Sequence, residues 1–585
     1  MVHSACAHIS AIDRFIGVRQ SQRLGGKHKP GRIGELGQHR GLRQRCAFGQ
    51  CGSRRRSAAN GLIQAADLSK LPETAKKRTD TVIVGLTDPS GAFTPYFTQS
   101  GYDGNVNSLL FTPLVTVDNK GVPIPALAEK WEISPDQLTY TFHLRKNAKF
   151  SDSTPVTADD VAFTWTILHD KAYDGDTDFS LVKVKGGQAY KDGKATSVEG
   201  IKIIDPETIS VTLEQVNATA LLYLGGEVLP KAYYGKDYKQ GNLDTLKSLV
   251  TKPLGNGPYK LEKFIPGQEV RFVANENYYA GKPKIEHFIY KTTDGDTWQF
   301  IETGEQDFGG FSATQDNIDK LKKLGFLNIQ PYIANNYGYI QFNHEHDALK
   351  DKRVRQALTY GLDRKTIYVD SNQGAAQVAN IPASPVSWSY TEDGINPYNY
   401  DPVKAKALLD EAGWKVGASG IREKDGKKLT LHFIGSKKKT TDVLIAVAKE
   451  NYAAIGVDFQ PEQFADFNAQ IAKYDSGDFD LVAFSTSLLT DPADGVVDFV
   501  NGNVNGYDNP KVKELYNKAI ATTDIEQRKA IYKELYQVIN DDLPYLFTSY
   551  NKSVYGYNGR IAGIEVNPSR GIAVSLPNWT LDPVK

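Results

Sequence analysis

Sulfur is nearly absent from this chain. Its 585 residues hold three cysteines, Cys6, Cys46 and Cys51, and one methionine, Met1. From Ala66 onward there is no cysteine. That excludes a thiol nucleophile from the body and suits export, where free thiols mispair and oxidise. No window approaches the ~18 consecutive apolar residues of a membrane-spanning helix. Acidic and basic residues balance at 69 each, so bulk charge draws the chain neither to nucleic acid nor to an anionic surface. The GxSxG elbow of a serine hydrolase is missing. Gly255-Asn256-Gly257-Pro258-Tyr259 lacks the spacing and the lysine of a phosphate loop, and reads as a glycine turn leading into a strand. The acidic residues form no glycosidase pair that stands out from solvated faces. Catalysis has nothing to stand on here; binding does.

Aromatic side chains are what the chain has in quantity. Its 31 Tyr, 25 Phe and 6 Trp serve cores and amphipathic pockets alike. The length allows about three or four units of roughly 150 residues each. The first sixty residues differ in composition from the rest: ten of 20 Arg, but only Lys27 and Lys29 among the lysines, precede Gly61. No apolar run there makes a signal peptide, and Ala47-Phe48-Gly49-Gln50 before Cys51 is a poor lipobox. Residues 1–60 are read as standing outside the folded unit. They fit an out-of-frame start, a disordered basic arm or an unusual targeting peptide.

Tyr140 to Trp165, YTFHLRKNAKFSDSTPVTADDVAFTW, is the most informative stretch. Tyr140, Phe142 and Leu144 alternate with Thr141, His143 and Arg145 as on a half-buried strand. Thr157 stands where an N-cap should, with Asp160 three residues on as an acidic capping box. Val161, Phe163, Trp165 and Leu168 follow in a predicted helix. This segment resembles the hallmark of the family 5 extracellular solute-binding proteins, the peptide and nickel receptors of ABC importers. Lys352 to Asp370 is a second match, with Val354, Ala357, Leu358 and Leu362 at helical spacing. Asp401 to Trp414 is a third, opening on Pro402 and closing on Gly413. Strands are predicted over 80–87, 208–213, 260–264, 269–274, 337–343, 429–433 and 478–485. Helices are predicted over 443–455 and, as a pair, 509–541. Leu109 to Val117 reads as an element running into a strand, and Leu543 to Ser549 as a segment returning to the first lobe. Strands alternating with helices argue for α/β lobes.

The resemblance implies an α/β, two-lobed periplasmic-binding-protein-like fold with an extra inserted domain in the first lobe. Residues 67–114, 216–300 and 530–585 would form the first-lobe core, 115–215 the inserted domain and 301–529 the second lobe. Hinges would lie near Val216, Phe300 and Lys529. The implied protein is an extracytoplasmic monomer, periplasmic or lipid-anchored at the cell surface. It would capture oligopeptides between its lobes and deliver them to ABC permease subunits, without a cofactor or nucleic acid. Ser100, Tyr102 and Asp103 fall in a first-lobe contact segment. Phe484, Ser485, Thr486 and Ser487 fall on a second-lobe strand that pairs with the ligand main chain. Asp491 and Tyr507 are further ligand-binding candidates. The family's amine-binding aspartate would fall near Ser487 to Leu489, where no acid stands. Trp298 and Trp388 are free to line a cleft. An oligosaccharide or other polar solute is the alternative ligand, and an extracellular peptide hydrolase the rival class. His344 and His346, at i and i+2 with no third histidine near in sequence, read as surface polar groups rather than metal ligands.

The compositional break at the amino end sets a first test. Limited proteolysis is expected to remove residues 1–60 and leave a core starting near Ala66 with an unchanged melting temperature. A large loss of stability on truncation would place the segment inside the fold.

Overall fold

In a computed structural model, residues 61–583 are described, apart from 176 and 294–296. The expectations for residues 1–60 fall outside this range. Strand β1 (Thr81–Leu86) buries every second residue, Val82, Val84 and Leu86, as a strand with one face on a core must. Helix α1 (Gly101–Leu110) follows, then the hairpin of β2 (Val115–Val117) and β3 (Pro123–Pro125). Leu109 and Leu110 thus close a helix before the expected strand begins. Strands β4 (Ala128–Ile133), β5 (Thr139–Leu144), β6 (Ile201–Asp205) and β7 (Thr208–Thr212) make a separate antiparallel sheet in the order β4-β5-β7-β6.

Helix α2 (Ala158–Leu168) covers that sheet. Phe142 and Trp165 meet edge to face at 5.7 Å, and the Trp165 indole donates to the Leu224 carbonyl at 3.1 Å. The acidic cap forms as read: Asp160 accepts from the Thr157 N–H at 2.8 Å and from its hydroxyl at 2.9 Å. It also accepts from the Lys231 N–H at 2.8 Å, so one carboxylate starts the helix and docks the next segment. Helix α3 (Ala220–Leu224) leads on to β8 (Tyr259–Ile265), β9 (Glu269–Ala274), β10 (His287–Thr292), β11 (Phe308–Ser312) and β12 (Leu327–Ile333). The glycine turn before β8 is a close approach of backbones. The Gly257 N–H donates to the Leu110 carbonyl at 2.8 Å, and a Cβ on Gly255 would lie 2.0 Å from that same oxygen.

The second half contributes β13 (Asn336–Phe342), α4 (Lys352–Tyr360), β14 (Ala376–Val378) and α5 (Pro402–Glu411). These are followed by β15 (Thr430–Ser436), α6 (Lys439–Ala454), β16 (Asp458–Phe464), α7 (Phe467–Asp475) and β17 (Leu481–Ser487). The helical pair α8 (Pro510–Ile520) and α9 (Ile525–Asp542) precedes the long strand β18 (Tyr545–Asn558). The connected strands run β16-β15-β17-β13-β18-β11-β1-β10-β9-β8, with β12 and β14 also pairing with β18.

β18 belongs to both halves. Residues 545–549 pair with β13, while 552–558 pair with β12 and 553–557 with β11. The chain therefore passes between the halves at 333–336 and 549–552. One core gathers Val82, Phe142, Phe288 and Trp579; others gather Phe342, Leu358 and Leu431, or Tyr532, Leu535 and Phe547. β11 pairs with β1, and both β11 and β12 pair with residues 552–558, whereas the expected boundary fell at 300/301. Tyr532, Leu535 and Tyr536 of α9 share a core with Tyr337 and Phe547, whereas the expected boundary fell at 529/530. The sequence pattern marks elements; which sheet edge each one joins is decided by distant partners.

Asp307 ties three strands together. Its carboxylate accepts from the Arg78 guanidinium at 2.7 and 3.1 Å, the Ile83 N–H at 2.9 Å and the Asn558 amide at 2.9 Å. The side chain is buried, so Asp307→Ala would leave Arg78 without its counter-charge. A loss of about 3–5 kcal/mol in unfolding free energy is expected, measured by urea denaturation. A loss below about 1 kcal/mol would show that the network is not structural.

Candidate functional site

Strand β17 carries four of the candidate residues, Phe484 to Ser487. On one side it is fully laddered to β13, from Leu481↔Phe342 to Ser487↔Asn336. On the other, its parallel ladder to β15 holds only Leu481 and Val482. Gln470 of α7 stands at the point where the two strands part. Its amide donates to the Ala483 carbonyl at 3.3 Å, and its oxygen accepts from the Ser436 hydroxyl at 2.6 Å. No described strand pairs with 483–487 on that side. Those residues are half-buried, and the strand runs two residues further than its pattern suggested. Phe484 lies among Tyr339, Phe467 and Tyr474, with ring centroids 6.2, 6.4 and 5.5 Å away.

The loop after β17 is held at both ends. Leu488 donates its N–H to the Asn335 carbonyl at 2.8 Å, and the Asn335 amide donates to the carbonyls of Leu488 and Leu489 at 3.0 and 3.1 Å. Asn335 itself lies in the first crossing between the halves. Asp494 accepts the Leu489 N–H at 2.8 Å. A carboxylate thus reaches the segment that the linear sequence leaves without an acid.

The remaining sequence candidates make contacts within the fold. Asp103 is fully buried and accepts from the Ser90 hydroxyl at 2.5 Å, the Gly91 N–H at 3.0 Å, the Gln99 N–H at 3.2 Å and the Ser100 hydroxyl at 3.1 Å. Ser100 caps α1, and Tyr102 packs against the first core. Tyr507 is a core residue whose hydroxyl donates to Asp542 at 2.9 Å. Asp491 starts a short turn by accepting the Ala493 N–H at 2.9 Å, and grips Arg528 through two bonds of 2.8 and 2.9 Å. Burial pulls the Arg528 guanidinium down, but the charge and hydrogen bonds of Asp491 more than offset this and hold it above its ordinary range. Trp298 lies against Phe311 at 4.1 Å.

Trp388 lies at the seam between the halves. A cavity of about 60 Å³ opens there, lined by Gly121, Tyr140 and Leu222 on one side and by Trp388, Asp491 and Arg528 on the other. The sequence could not signal this seam, because its two walls come from segments up to four hundred residues apart.

Comparison with known proteins now has geometry to meet. Residues 122–508 match the family described as bacterial extracellular solute-binding proteins, family 5, middle. The chain belongs to this family. It is 27% identical over 536 residues to the oligopeptide-binding protein AppA of Bacillus subtilis, covering 90% of this chain and 96% of that one. With heme-binding protein A of Haemophilus influenzae the identity is 29%, over 87% of this chain and 94% of the relative. The AppA structure in complex with a nonapeptide superposes with a TM-score of 0.67 at 26% identity, covering 86% of this chain and 99% of that one. NikZ from Campylobacter jejuni, in complex with Ni(L-His), gives a TM-score of 0.69 at 25% identity, covering 86% and 100%. These neighbours share the two-lobed α/β fold.

His344 and His346 diverge. His344 is buried, not a surface group: its Nε2 lies 3.2 Å from the Pro544 carbonyl, and its ring packs on Tyr507 at 5.0 Å. His346 turns to Asp480 at 3.5 Å. Among the described residues no group of three or more His, Cys, Asp or Glu is placed to hold a metal. Burial, helped by the nearby Arg355 charge, pulls His344 down from 6.5 to about 4.

Because the folded value lies below the unfolded one, the unfolded chain takes up the proton first as pH falls. Stability is therefore whole above about 6.5 and is lost between about 6.5 and 4, in total by about 3 kcal/mol. His344→Gln, which keeps a donor for the Pro544 carbonyl, should flatten this part of the profile. Urea midpoints at pH 7 and pH 4.5 for both proteins test it; equal acid sensitivity would remove His344 as the cause.

Proposed function

We propose that this chain is the substrate-binding protein of an ABC importer, capturing oligopeptides between its lobes and presenting them to permease subunits outside the cytoplasm. The carrying observation is β17, laddered along one side and parted from β15 after Val482 on the other. An extended peptide laid along Phe484 to Ser487 would add a strand there, held by main-chain bonds that read no particular side chain. The AppA relative and its nonapeptide complex support a peptide of some length. We place the lobe division at the two crossings, with 61–333 and 552–583 in the first lobe and 336–549 in the second. Residues 128–212 form the inserted domain. Closure then bends the segments at 333–336 and 549–552. No residue set for catalysis supports the rival hydrolase.

Calorimetry with a library of tri- to nonapeptides tests the reading. At least one peptide should bind and raise the melting temperature by mass action. Acetylating its amino terminus should change the affinity by less than about tenfold, roughly 1.4 kcal/mol. Ser487→Pro should weaken binding, because proline lacks an N–H and distorts the strand opposite Asn336. A hundredfold loss on acetylation would mean that a carboxylate anchors the ligand ammonium, and would overturn the unanchored reading. No peptide binding, with binding instead of an oligosaccharide, heme or a nickel–histidine complex, would overturn the peptide reading.

A further inference from the structure

Beside the loop that follows β17 the two lobes meet at a seam, and its chemistry is specific. Three turns of the first lobe dock on the second. The turn between β2 and β3, closed by Asp118, offers the Lys120 carbonyl to the Trp388 N–H at 2.9 Å. Gly121 at its tip has φ +84°, and a Cβ there would lie 3.0 Å from the Thr490 carbonyl. The turn between β4 and β5 sends Gln137 to Thr523, whose hydroxyl donates to the Gln137 side-chain oxygen at 2.6 Å. Ahead of α3, the Ala218 N–H donates to the Ile520 carbonyl at 2.7 Å, one of the carbonyls that the end of α8 leaves over. The second-lobe side of the seam is thus mainly the corner between α8 and α9.

Arg528, on α9, connects that corner to the ligand loop. It lines the seam cavity with Tyr140 and Leu222 across from it, and stands 5.2 Å from the Trp388 ring. Its two bonds to Asp491 reach the loop that follows β17. The same loop is pinned through Leu488 to Asn335 in the crossing. Seam, ligand loop and hinge are joined by bonded contacts.

We infer that this seam is a latch. The α8–α9 corner and Trp388, received by the turns at Lys120–Gly121, Gln137 and Ala218, set how tightly the lobes close, and so set ligand affinity without touching ligand. The inference rests on the peptide-binding reading above, but the latch can be tested without any peptide.

Two charge insertions face each other across the seam. Ile525 is the first residue of α9 and lines the cavity, as does Leu222 of α3. Ile525→Glu puts an acid in a first helical turn, where the helix tolerates it, yet buries the charge whenever the lobes close. Leu222→Glu does the same from the other wall. Small-angle scattering on the ligand-free full-length chain should show a larger radius of gyration for each variant than for wild type, with melting within a few degrees. With the tightest peptide of the library, each variant should bind about tenfold more weakly, chiefly through faster release. The mild change Thr523→Val should cost two- to fivefold. Unchanged radius and unchanged release in all three variants would overturn the latch, even while wild type binds peptide. Failure of wild type to bind any peptide would overturn the functional reading, and the ligand-free scattering would still decide the latch.

Discussion

Strand β18 is the constraint on which the rest of the molecule depends. Fourteen residues, Tyr545 to Asn558, serve two lobes. Register with each neighbour matters, because a slip by one residue turns every side chain to the opposite face; against β13 the register shifts once, between Gly338 and Tyr339. With Leu546 in one second-lobe core and Val554 beside Leu321 and Ile329 in a first-lobe core, both registers are fixed by burial. The crossing at 549–552 is therefore a short connector of fixed length between two separately registered ladders.

Arginine usage expresses the same economy. The body carries 49 minus two lysines but ten arginines, and five of those ten, Arg355, Arg364, Arg422, Arg528 and Arg560, are buried. Each ties segments that are distant in sequence. Arg364 donates to the carbonyls of Ala379, Phe547, Pro397 and Tyr398. Burial lowers it to about 10, which leaves it charged at neutral pH. Arg355 binds the carbonyls of Leu349, Lys350, Asp542 and Leu543. A planar fork with five donors can satisfy several backbone carbonyls at once, which an ammonium group on a flexible stem does less well. Lysine is left to the surface, where its ion pairs with exposed carboxylates contribute little.

How much was legible in the sequence follows from the range of each interaction. The faces of Tyr140, Phe142 and Leu144, the cap of Thr157 and Asp160 and the helices opened by Pro402 and Pro510 are local. Period and capping chemistry reveal them within a dozen residues. The pairing of Phe308 to Ile333 could not be read locally, because their ladder partners are residues 552–558, over two hundred positions later. Asp103 looks like a ligand group until Ser90 and Gly91 arrive from another loop. Tyr507 looks like one until Asp542 takes its hydroxyl. Each of these side chains has partners in the fold that come from distant segments and that the sequence does not reveal.

Asp491 shows most clearly why chemistry alone misleads. As a string, Thr490-Asp491-Pro492 offers an acid close to where an amine would be expected. In the fold, Arg528 stands 37 positions on and approaches through both terminal nitrogens, so the pair is neutral toward a ligand. An ammonium entering there would have to displace a guanidinium that is itself buried, leaving one cation without a partner. Asp494, brought back by the turn that Asp491 starts, accepts the Leu489 N–H instead. One aspartate thus shapes the loop and pairs with Arg528 beside the lobe seam, while the other holds Leu489 just past the end of β17. The two carboxylates are three residues apart and belong to different jobs, and the arginine decides which is which.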